Sequence, residues 1–403
     1  MAKPEIRLKG FEGEWNKVSL SKIAKFSKGS GYSKMDLKES GTPIILYGRL
    51  YTNYETVISD VDTYVTKKEN SVVSKGGEII IPASGETPED IACASVVKKS
   101  GIILGGDLNV ITIDSPSYDK AFTSLAISYG AVHDELAKSA QGKTVVHLHN
   151  SEIAKAQIYY PNSSAEQKAI ADFFKSIDSM ILEMIKKIAS LKQMKSASLT
   201  SMFPQAGETT PRVRFKGFEG EWGCDTAGNL FKTFNERNRP DLPVLSANQD
   251  IRGMAPRSDT GYTISHDKAN EVTYKVVKPG QFVIHLRSFQ GGFAHSAVEG
   301  ITSPAYTVFG FKEESLHDDY FWKIVFMSKK FIKSLETITY GIRDGRSISF
   351  AEFTEMKFLF PFKKEQQCIS SYFKSLDKQI SLQEQRLEKL KQIKAACLDK
   401  MFV

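Results

Sequence analysis

The chain repeats itself, and this repeat constrains its fold more than any other feature. Residues 4–15 read PEIRLKGFEGEW, and residues 211–222 read PRVRFKGFEGEW, 207 positions later and identical over GFEGEW. A longer pair accompanies it. EQKAIADFFKSIDSMILEMIKKIASLKQMKSASLTSMF starts at Glu166, and EQQCISSYFKSLDKQISLQEQRLEKLKQIKAACLDKMF starts at Glu365, 199 positions later without a gap. Repetition at fixed spacing means that one structural unit occurs twice. The order is short motif, variable segment, long helix, and then the same again. The variable segments, 16–160 and 223–360, end alike: a Glu, a strand-like run and a Pro, in EIAKAQIYYP to Pro161 and EFTEMKFLFP to Pro361. PQAGETT after Phe203 lacks apolar periodicity and reads as a linker.

The expected layout is a first globular domain over 1–160, a central helix over 161–203 and a linker over 204–210. A second globular domain over 211–360 and a C-terminal helix over 361–403 follow. At 41% hydrophobic and 11% aromatic, the 403 residues can form packed cores, so wholesale disorder is excluded. No run approaches the roughly 20 apolar residues of a membrane span. Met-Ala-Lys-Pro-Glu-Ile-Arg at the start has no apolar h-region, so no secretory signal is expected. Cys93, Cys224, Cys368 and Cys397 form no C-x-x-C pair, which excludes a zinc ribbon and disfavours a disulfide scaffold. The expectation is a cytoplasmic, prokaryotic, DNA-associated protein with no membrane partner.

Both long segments carry a coiled-coil seam. In the central copy Ile170, Phe174, Ile177, Ile181, Met184, Ile188, Leu191, Lys195, Ser198 and Met202 follow alternating 4-3 spacing. In the C-terminal copy the equivalents are Ile369, Phe373, Leu376, Ile380, Gln383, Leu387, Leu390, Lys394, Cys397 and Met401. Neither segment contains Pro or Gly, and at 1.5 Å per residue each arm would be roughly 55 Å long. Lys195 and Lys394 occupy equivalent seam positions. They either fix the register or mark a frayed stretch from which the amines snorkel. Met194, Leu199, Ile393 and Leu398 widen the apolar stripe, for helices of a partner or for the chain's own domains. A pseudo-twofold pairing of the two helices makes them antiparallel, with a variable domain at either end of a rod that acts as a ruler.

In these repeats the chain resembles the specificity subunit of type I restriction–modification systems. The carriers are the twice-used P-x-[IV]-R-[LF]-K-G-F-x-G-x-W, the E-Q-x-x-I-x-x-[FY]-F-x-S-[IL]-D start of both arms and their Met-Phe ends; together they cover essentially the whole chain. The resemblance implies an α+β protein: two globular α/β target recognition domains separated by two long antiparallel coiled-coil helices, in a pseudo-twofold internal repeat. It implies that each domain reads one half of a bipartite double-stranded DNA target, while the helices set the spacing and bind methyltransferase subunits, two of them. S-adenosylmethionine and ATP would belong to partner subunits, the modification and the restriction/translocase subunits, with no cofactor on this chain. No catalytic residue carries over. The competing expectation is a stand-alone bivalent scaffold that binds nucleic acid or protein along a helical rod.

The residues themselves agree with a binding protein. AKSAQGKT, 137–144, matches a phosphate-loop pattern, but the preceding stretch looks helical and the following VVHLHN looks like a strand. A phosphate loop needs the reverse order. YGIRDGRSI, 340–348, stands at the corresponding place in the second copy, and a loop facing the DNA backbone explains both better. Gly29, Ser30 and Gly31 make no dinucleotide fingerprint. There is no Pro-Pro, hence none of the [DNS]-P-P-[YF] motif of adenine methyltransferases. His147 and His149 form an H-x-H pair with no Cys or third His nearby, so no metal is expected.

Each variable segment mixes strand-like runs with one helix near its end, KAFTSLAISYG and DDYFWKIVFMSKKFIKSL. Base contacts would come from loops and strand ends placed in the major groove. Candidates in the first domain are Lys34, Tyr47, Arg49, Tyr51, Ser84, Lys143, Thr144 and His147. Tyr47 and Tyr51 flank Arg49, and core packing explains them equally well. Candidates in the second domain are Arg237, Arg239, Arg252, Arg257, Arg287, Ser288, Arg343 and Arg346. The first segment has one arginine and the second seven. Arginine bonds guanine O6 and N7 bidentately, so the second half-site is expected to depend more on guanine. Salt-bridged or phosphate-facing arginines are the alternative at any one position. Trp15 and Trp222 read as packing anchors. The formal charge of +7 does not mark the readers: the first variable segment is net 0, the second +1, and residues 361–403 carry +4. A neutral reader has to concentrate its basic groups on one face.

Overall fold

The computed structural model describes residues 3–142, 145–248, 253–260, 268–285, 292–335, 339–340 and 347–403. The chain divides into two units, Met1–Lys187 with Gln383–Val403, and Ile188–Leu382. Both divisions fall inside the long helices, Ser164–Ser201 and Lys363–Met401. Each unit therefore holds one globular domain, the first part of one long helix and the last part of the other.

In the first unit a five-stranded sheet runs in the order Lys25–Lys28, Leu108–Thr112, Glu78–Pro82, Ser95–Val97, Val57–Ile58. Only the last pair is parallel. Ile79, Ile80, Ile81, Val97, Leu108 and Ile111 are buried, which is why EIIIP and LNVIT read as unbroken apolar strands. A smaller sheet of Ile103–Leu104, Thr42–Ile45, Tyr64–Val65 and Leu37–Lys38 stands beside it. In the second unit a six-stranded sheet runs Phe231–Phe234, Thr307–Phe311, Phe282–Ile284, Phe293–Ser296, Gly253–Pro256, Leu245–Asn248. Its core is aromatic where the first is aliphatic: Phe231 meets Trp322 edge-on at 5.1 Å, and Phe282 meets Phe326 likewise at 5.1 Å.

The single helix expected near the end of each variable segment is two helices. In the first unit Lys120–Ser128 and Ala131–Ser139 are separated at Gly130, whose φ is +72°. A Cβ there would lie 3.2 Å from the Cβ of Phe402, so position 130 needs both the left-handed backbone and the missing side chain. In the second unit Asp319–Met327 ends at an extended Ser328, whose hydroxyl accepts from the Phe331 amide and starts Lys329–Leu335. Helical periodicity continues across both breaks and hides them in the sequence.

The repeated motifs build the same frame twice. Arg7 forms a bidentate pair with Glu166 at 2.7 Å and donates to the carbonyls of Glu12 and Gly13. Arg214 does the same with Glu365, at 2.6 and 2.7 Å, and with the carbonyl of Gly220. Both carboxylates are buried, and each holds its arginine above the ordinary guanidinium pKa through the hydrogen bonds it accepts. The next residue ties the helix start to the globular domain. Gln167 accepts from the Asp119 amide and donates to the Pro161 carbonyl; Gln366 accepts from the Asp318 amide and donates to the Pro361 carbonyl. Strand Asn16–Ser19 pairs with Gln157–Tyr160, and Gly223–Thr226 with Lys357–Phe360. The buried Trp15 and Trp222 begin the second leg of each frame.

The motif also closes the end of a long helix. The Ile6 amide donates to the Lys400 carbonyl at 3.0 Å, and the Val213 amide to the Ser201 carbonyl at 2.9 Å. These are C-terminal carbonyls that the helices cannot satisfy themselves. Residues 204–210 contain no helix or strand but are pinned: the Gln205 amide donates to the Glu208 carboxylate, and the Trp222 amide to the Thr209 carbonyl. Within the first unit Ile170, Ala171 and Phe174 share a core with Leu398, Met401 and Phe402. Within the second, Ile369, Phe373 and Leu376 share one with Met202, against which Leu191, Leu199 and Phe203 pack. In each unit the start of one long helix meets the end of the other, which is antiparallel packing. The 4-3 positions are buried or half-buried along both helices: Ile177, Ile188 and Ile380 are buried, and Ile181, Leu191, Leu387 and Leu390 half-buried.

Candidate nucleic-acid interface

One end of the five-stranded sheet gathers three of the first-unit candidates, Ser84, His147 and Lys34. Lys28 lies opposite Asn109, and Pro82 opposite Leu108, so Lys28, Asp107 and Ser84 all stand at the same end. Ser84–Gly85 continues there as a short strand that pairs with Val146–His147. Ser84 is buried beneath His147, and its Oγ lies 3.1 Å from His147 Nδ1. His147 is exposed. The turn that carries Lys34 springs from the same end: the Gly29 amide donates to the Leu108 carbonyl, and the Ser30 amide to that of Leu104. A capping box between Ser33 and Asp36 fixes the turn, Asp36 pairs with Lys68 at 2.7 Å, and Lys34 is exposed.

Tyr47 and Tyr51 are half-buried with rings 6.3 Å apart. Burial pushes the Tyr51 hydroxyl pKa up, and the charges of Tyr47, of Glu86 just after Ser84 and of Asp90 in the helix Pro88–Ile91 add to the shift. Arg49 is occupied. It pairs with Glu55 at 2.8 Å and Asp62 at 2.9 Å, donates to the Asp60 carbonyl, and has a side chain only 16% exposed. The first unit's one variable-segment arginine is thus spent on a local ion-pair network. Lys143 and Thr144 lie outside the described residues.

In the second unit Phe234 lies opposite Val308, and Ile284 opposite Thr307, which puts the residues after 234 and 284 and those before 307 at one end of the six-stranded sheet. Arg237 follows there, exposed, with its Nε donating to Asn235 Oδ1 at 3.1 Å. His285 and Tyr306 meet at 6.2 Å. Arg239 pairs with Asp241 at 2.7 Å, and the half-buried Arg257 donates to Ser246 at 3.1 Å. Arg252, Arg287, Ser288, Arg343 and Arg346 lie outside the described residues.

At the phosphate-loop-like stretch, helix Ala131–Ser139 precedes and strand Val146–His147 follows. No cradle at a helix N-terminus is formed by this order. Among the described residues no group of three or more His, Cys, Asp or Glu is placed to hold a metal ion, and no helix is long and apolar enough to cross a membrane. Burial raises the Cys93 thiol to about 12, which leaves it protonated. Among the described residues, the end of each sheet thus carries hydrogen-bonding and basic side chains.

Two compact globular domains thus stand on a frame that is built twice. The type I restriction modification DNA specificity domain matches residues 12–193 and 224–392, and the chain belongs to this family. Its fold is similar over 100% of its length to the crystal structure of a type I restriction–modification system S subunit from M. genitalium, of which 99% is covered, with TM-score 0.62 and 14% identity. A second similar structure is described as the structural basis underlying complex assembly and conformational transition of the type I restriction–modification system. Its TM-score is 0.53 at 14% identity, with 97% of this chain and 98% of that one covered. No curated protein sequence matches the chain. It is a DNA specificity subunit of the type I restriction–modification family, with two domains in internal repeat.

Proposed function

We propose that each sheet end reads one half of a bipartite DNA target, that the paired helices set the distance between the halves, and that the same helices receive two methyltransferase subunits. Catalysis, S-adenosylmethionine and ATP belong to partner subunits in this reading, and the chain supplies sequence recognition in the cytoplasm of its host. The observation that carries it is the contrast between frame and reader. The Arg–Glu ion pair and the hydrogen bonds of the following Gln recur in both copies, from Arg7–Glu166 to Arg214–Glu365. The sheet ends that this frame supports are unlike: Ser84 and His147 stand at the first, and Arg237, His285 and Tyr306 at the second. A constant frame with unlike readers suits two different half-sites. The exposed Met180, Leu182, Ile185, Met194, Leu382 and Ile393 on the helices supply apolar surface for partner helices.

The test is to sequence methylated adenines in DNA exposed to the chain together with the methyltransferase subunit of its host. Two adenines on opposite strands, in fixed half-sites with an unspecified spacer, are the expected result. A single continuous target, or recovery as a stable monomer indifferent to such a subunit, would favour the stand-alone scaffold instead.

A further inference from the structure

One apolar side chain at the first sheet end stands almost wholly in water. Met35 is 95% exposed, more than any other large apolar side chain among the described residues. Its turn is held on both sides. The Ser33 hydroxyl accepts from the Met35 amide at 3.3 Å, and the Ser33 amide donates to the Asp36 carboxylate at 2.8 Å. Lys68 pairs with Asp36 at 2.7 Å, lies over the Tyr32 ring at 4.4 Å from its centroid, and donates to the Gly31 carbonyl. Tyr32 is buried with Ile44, Val65 and Ile103, and its hydroxyl accepts from the Lys68 amide at 2.6 Å. Beyond the tip, Leu37 and Lys38 pair with Val65 and Tyr64. Both legs of the turn are therefore anchored, and the thioether is held out at its tip.

An apolar group presented in this way is poised to be buried by something else, and its neighbours indicate by what. Lys34 precedes Met35 and Lys38 follows three residues on, both exposed. Of the two acids in residues 33–39, Asp36 is paired with Lys68, and Glu39 lies beyond the strand Leu37–Lys38. An apolar tip between cations matches a duplex, which has anionic phosphates outside and stacked base faces inside. A purely apolar protein groove would leave the two amines without partners. The turn also springs from the sheet end that bears Ser84 and His147, so it would approach the same stretch of DNA. Methionine is among the side chains that act as wedges between base steps.

We propose that Met35 is a wedge: on the first half-site its side chain enters between two stacked base pairs, while Lys34 and Lys38 bond the phosphates on either side. The step entered is TA or CA/TG, because pyrimidine–purine steps unstack most easily. Selectivity then arises from deformability, at bases to which no hydrogen bond need be made. This suits a domain whose one variable-segment arginine is held by Glu55 and Asp62. Asp36 and Lys68 act as positioning residues that keep the tip from folding back. The inference rests on the DNA-reading function proposed above and adds a second way in which one reader selects sequence.

The test uses the chain assembled with its methyltransferase subunits, on duplexes carrying the mapped target. Each adenine in turn is replaced by 2-aminopurine, which brightens when it loses a stacking neighbour. The methylated adenines are set aside, because methyltransferases extrude their target base. Energy transfer between dyes on the duplex ends reads the bend. With the wild type one further adenine, in a TA or CA/TG step of one half-site, should brighten, and the duplex should kink by about 20–90°. Met35→Ala should leave that position dark, lessen the bend and weaken binding about tenfold, as for one apolar side chain no longer buried. Met35→Leu should retain most of all three effects. Lys34→Ala should lower the salt dependence by about one counterion without dimming the signal. Met35 is exposed, so the melting temperatures of its variants should match the wild type. A position that stays bright and a bend that persists in Met35→Ala would overturn the wedge and leave DNA reading intact, as would a wild-type complex that brightens no such adenine. A wild-type complex that does not distinguish the mapped target from a scrambled duplex would overturn the DNA-reading function itself.

Discussion

Lys195 on the central helix lies 2.5 Å from Asp377 on the C-terminal helix, and Lys394 lies 2.5 Å from Asp178 in the mirror arrangement. Each pair is contained in one unit, and in both the two residue numbers add to 572. For antiparallel helices a constant sum means a single register. A slip by one heptad would place Lys394 opposite Ile185 or Ala171, with its amine unpaired. The seam lysines are therefore register-specifying groups of the kind that polar residues supply in coiled coils, and not sites of fraying.

Lys195→Glu should set two acids against each other at that crossing. The side chains of Lys195 and Asp377 are 32% and 38% exposed, so solvent screens the loss to about 1 kcal/mol. That corresponds to a melting temperature lower by about 2–4 °C. The charge exchange Lys195→Glu with Asp377→Lys should recover most of it. Tyr320 Oη, which donates to Asp377 at 2.7 Å, loses its acceptor in the exchange and keeps the recovery below complete. Thermal melts of the two single variants and the double variant form the cycle that checks the coupling. Additive single effects would mean that the pair contributes nothing specific.

Arg7→Ala is expected to cost far more. Glu166 is 2% exposed, and removal of its partner leaves a buried carboxylate uncompensated, at about 3 kcal/mol. Arg7→Met with Glu166→Gln should be milder than Arg7→Ala, because no buried charge is then left alone. Arg214 and Glu365 should behave in parallel in the second unit. Melting curves of the four variants decide the matter, and equal stability of Arg7→Ala and the double variant would contradict the charge argument.

The frame was legible because its groups sit in contiguous, repeated sequence. Arg7, Trp15, Glu166 and Gln167 all fall in strings that recur, and the 4-3 spacing marks the buried helix positions. The partners were not legible. Nothing in the sequence joins Lys195 to Asp377, since the contact spans 182 residues and depends on the antiparallel register. Arg49 stood out as a candidate reader because Tyr47 and Tyr51 flank it in a mixed aromatic–basic cluster, but Glu55 and Asp62 occupy it through a fold that the pattern does not encode. Gln141 passed unnoticed for the opposite reason: it is ordinary in sequence, and only its pairing with His147 brings it to the sheet end. The break at Gly130 escaped because the apolar period runs through it.

Gly130→Ala tests that break. The backbone there has φ +72° and ψ −156°, a region essentially restricted to glycine where a Cβ costs about 1–3 kcal/mol, and the added carbon would press on Phe402 at 3.2–3.3 Å. Phe402 in turn packs on Phe122 and Phe174, at 5.7 and 6.0 Å. The substitution should therefore loosen the end of the C-terminal helix as well as the turn. Faster hydrogen exchange at residues 398–402 together with a lower melting temperature is the expected outcome; a lower melting temperature without the exchange change would confine the effect to the turn.

Acid should weaken the second unit through Asp319. The hydrogen bond that His295 Nε2 donates at 2.6 Å holds this carboxyl below the usual carboxylate range, with the charge of Lys374 assisting. A carboxyl depressed on folding contributes stability above its unfolded pKa, about 4, and loses that contribution as pH falls through its lower folded value. Asp319→Asn still offers His295 an acceptor but has no proton to take up. Its melting temperature should fall less steeply below about pH 4 than that of the wild type, and the two should run parallel near neutrality. Identical slopes in the acid range would remove Asp319 from the account.

The proposed ruler makes the most demanding prediction. Asp178 and Lys195 are 17 residues apart on the central helix, and Asp377 and Lys394 are 17 apart on the other. Both ion pairs can form in one register only while these intervals are equal. Seven residues added between Asp178 and Lys195 alone would make the two registers differ by a heptad, so one pair must break and the helices must bow or part. Assembly with the methyltransferase should weaken. Seven residues added to each helix restore equal intervals and lengthen the paired region by about 10 Å at 1.5 Å per residue. At 3.4 Å per base pair that is about three base pairs of additional spacer between otherwise unchanged half-sites. Mapping methylated adenines for the matched variant reads the spacer directly. An unchanged spacer in a stable, active complex would refute the helices as the gauge, whatever the readers recognise.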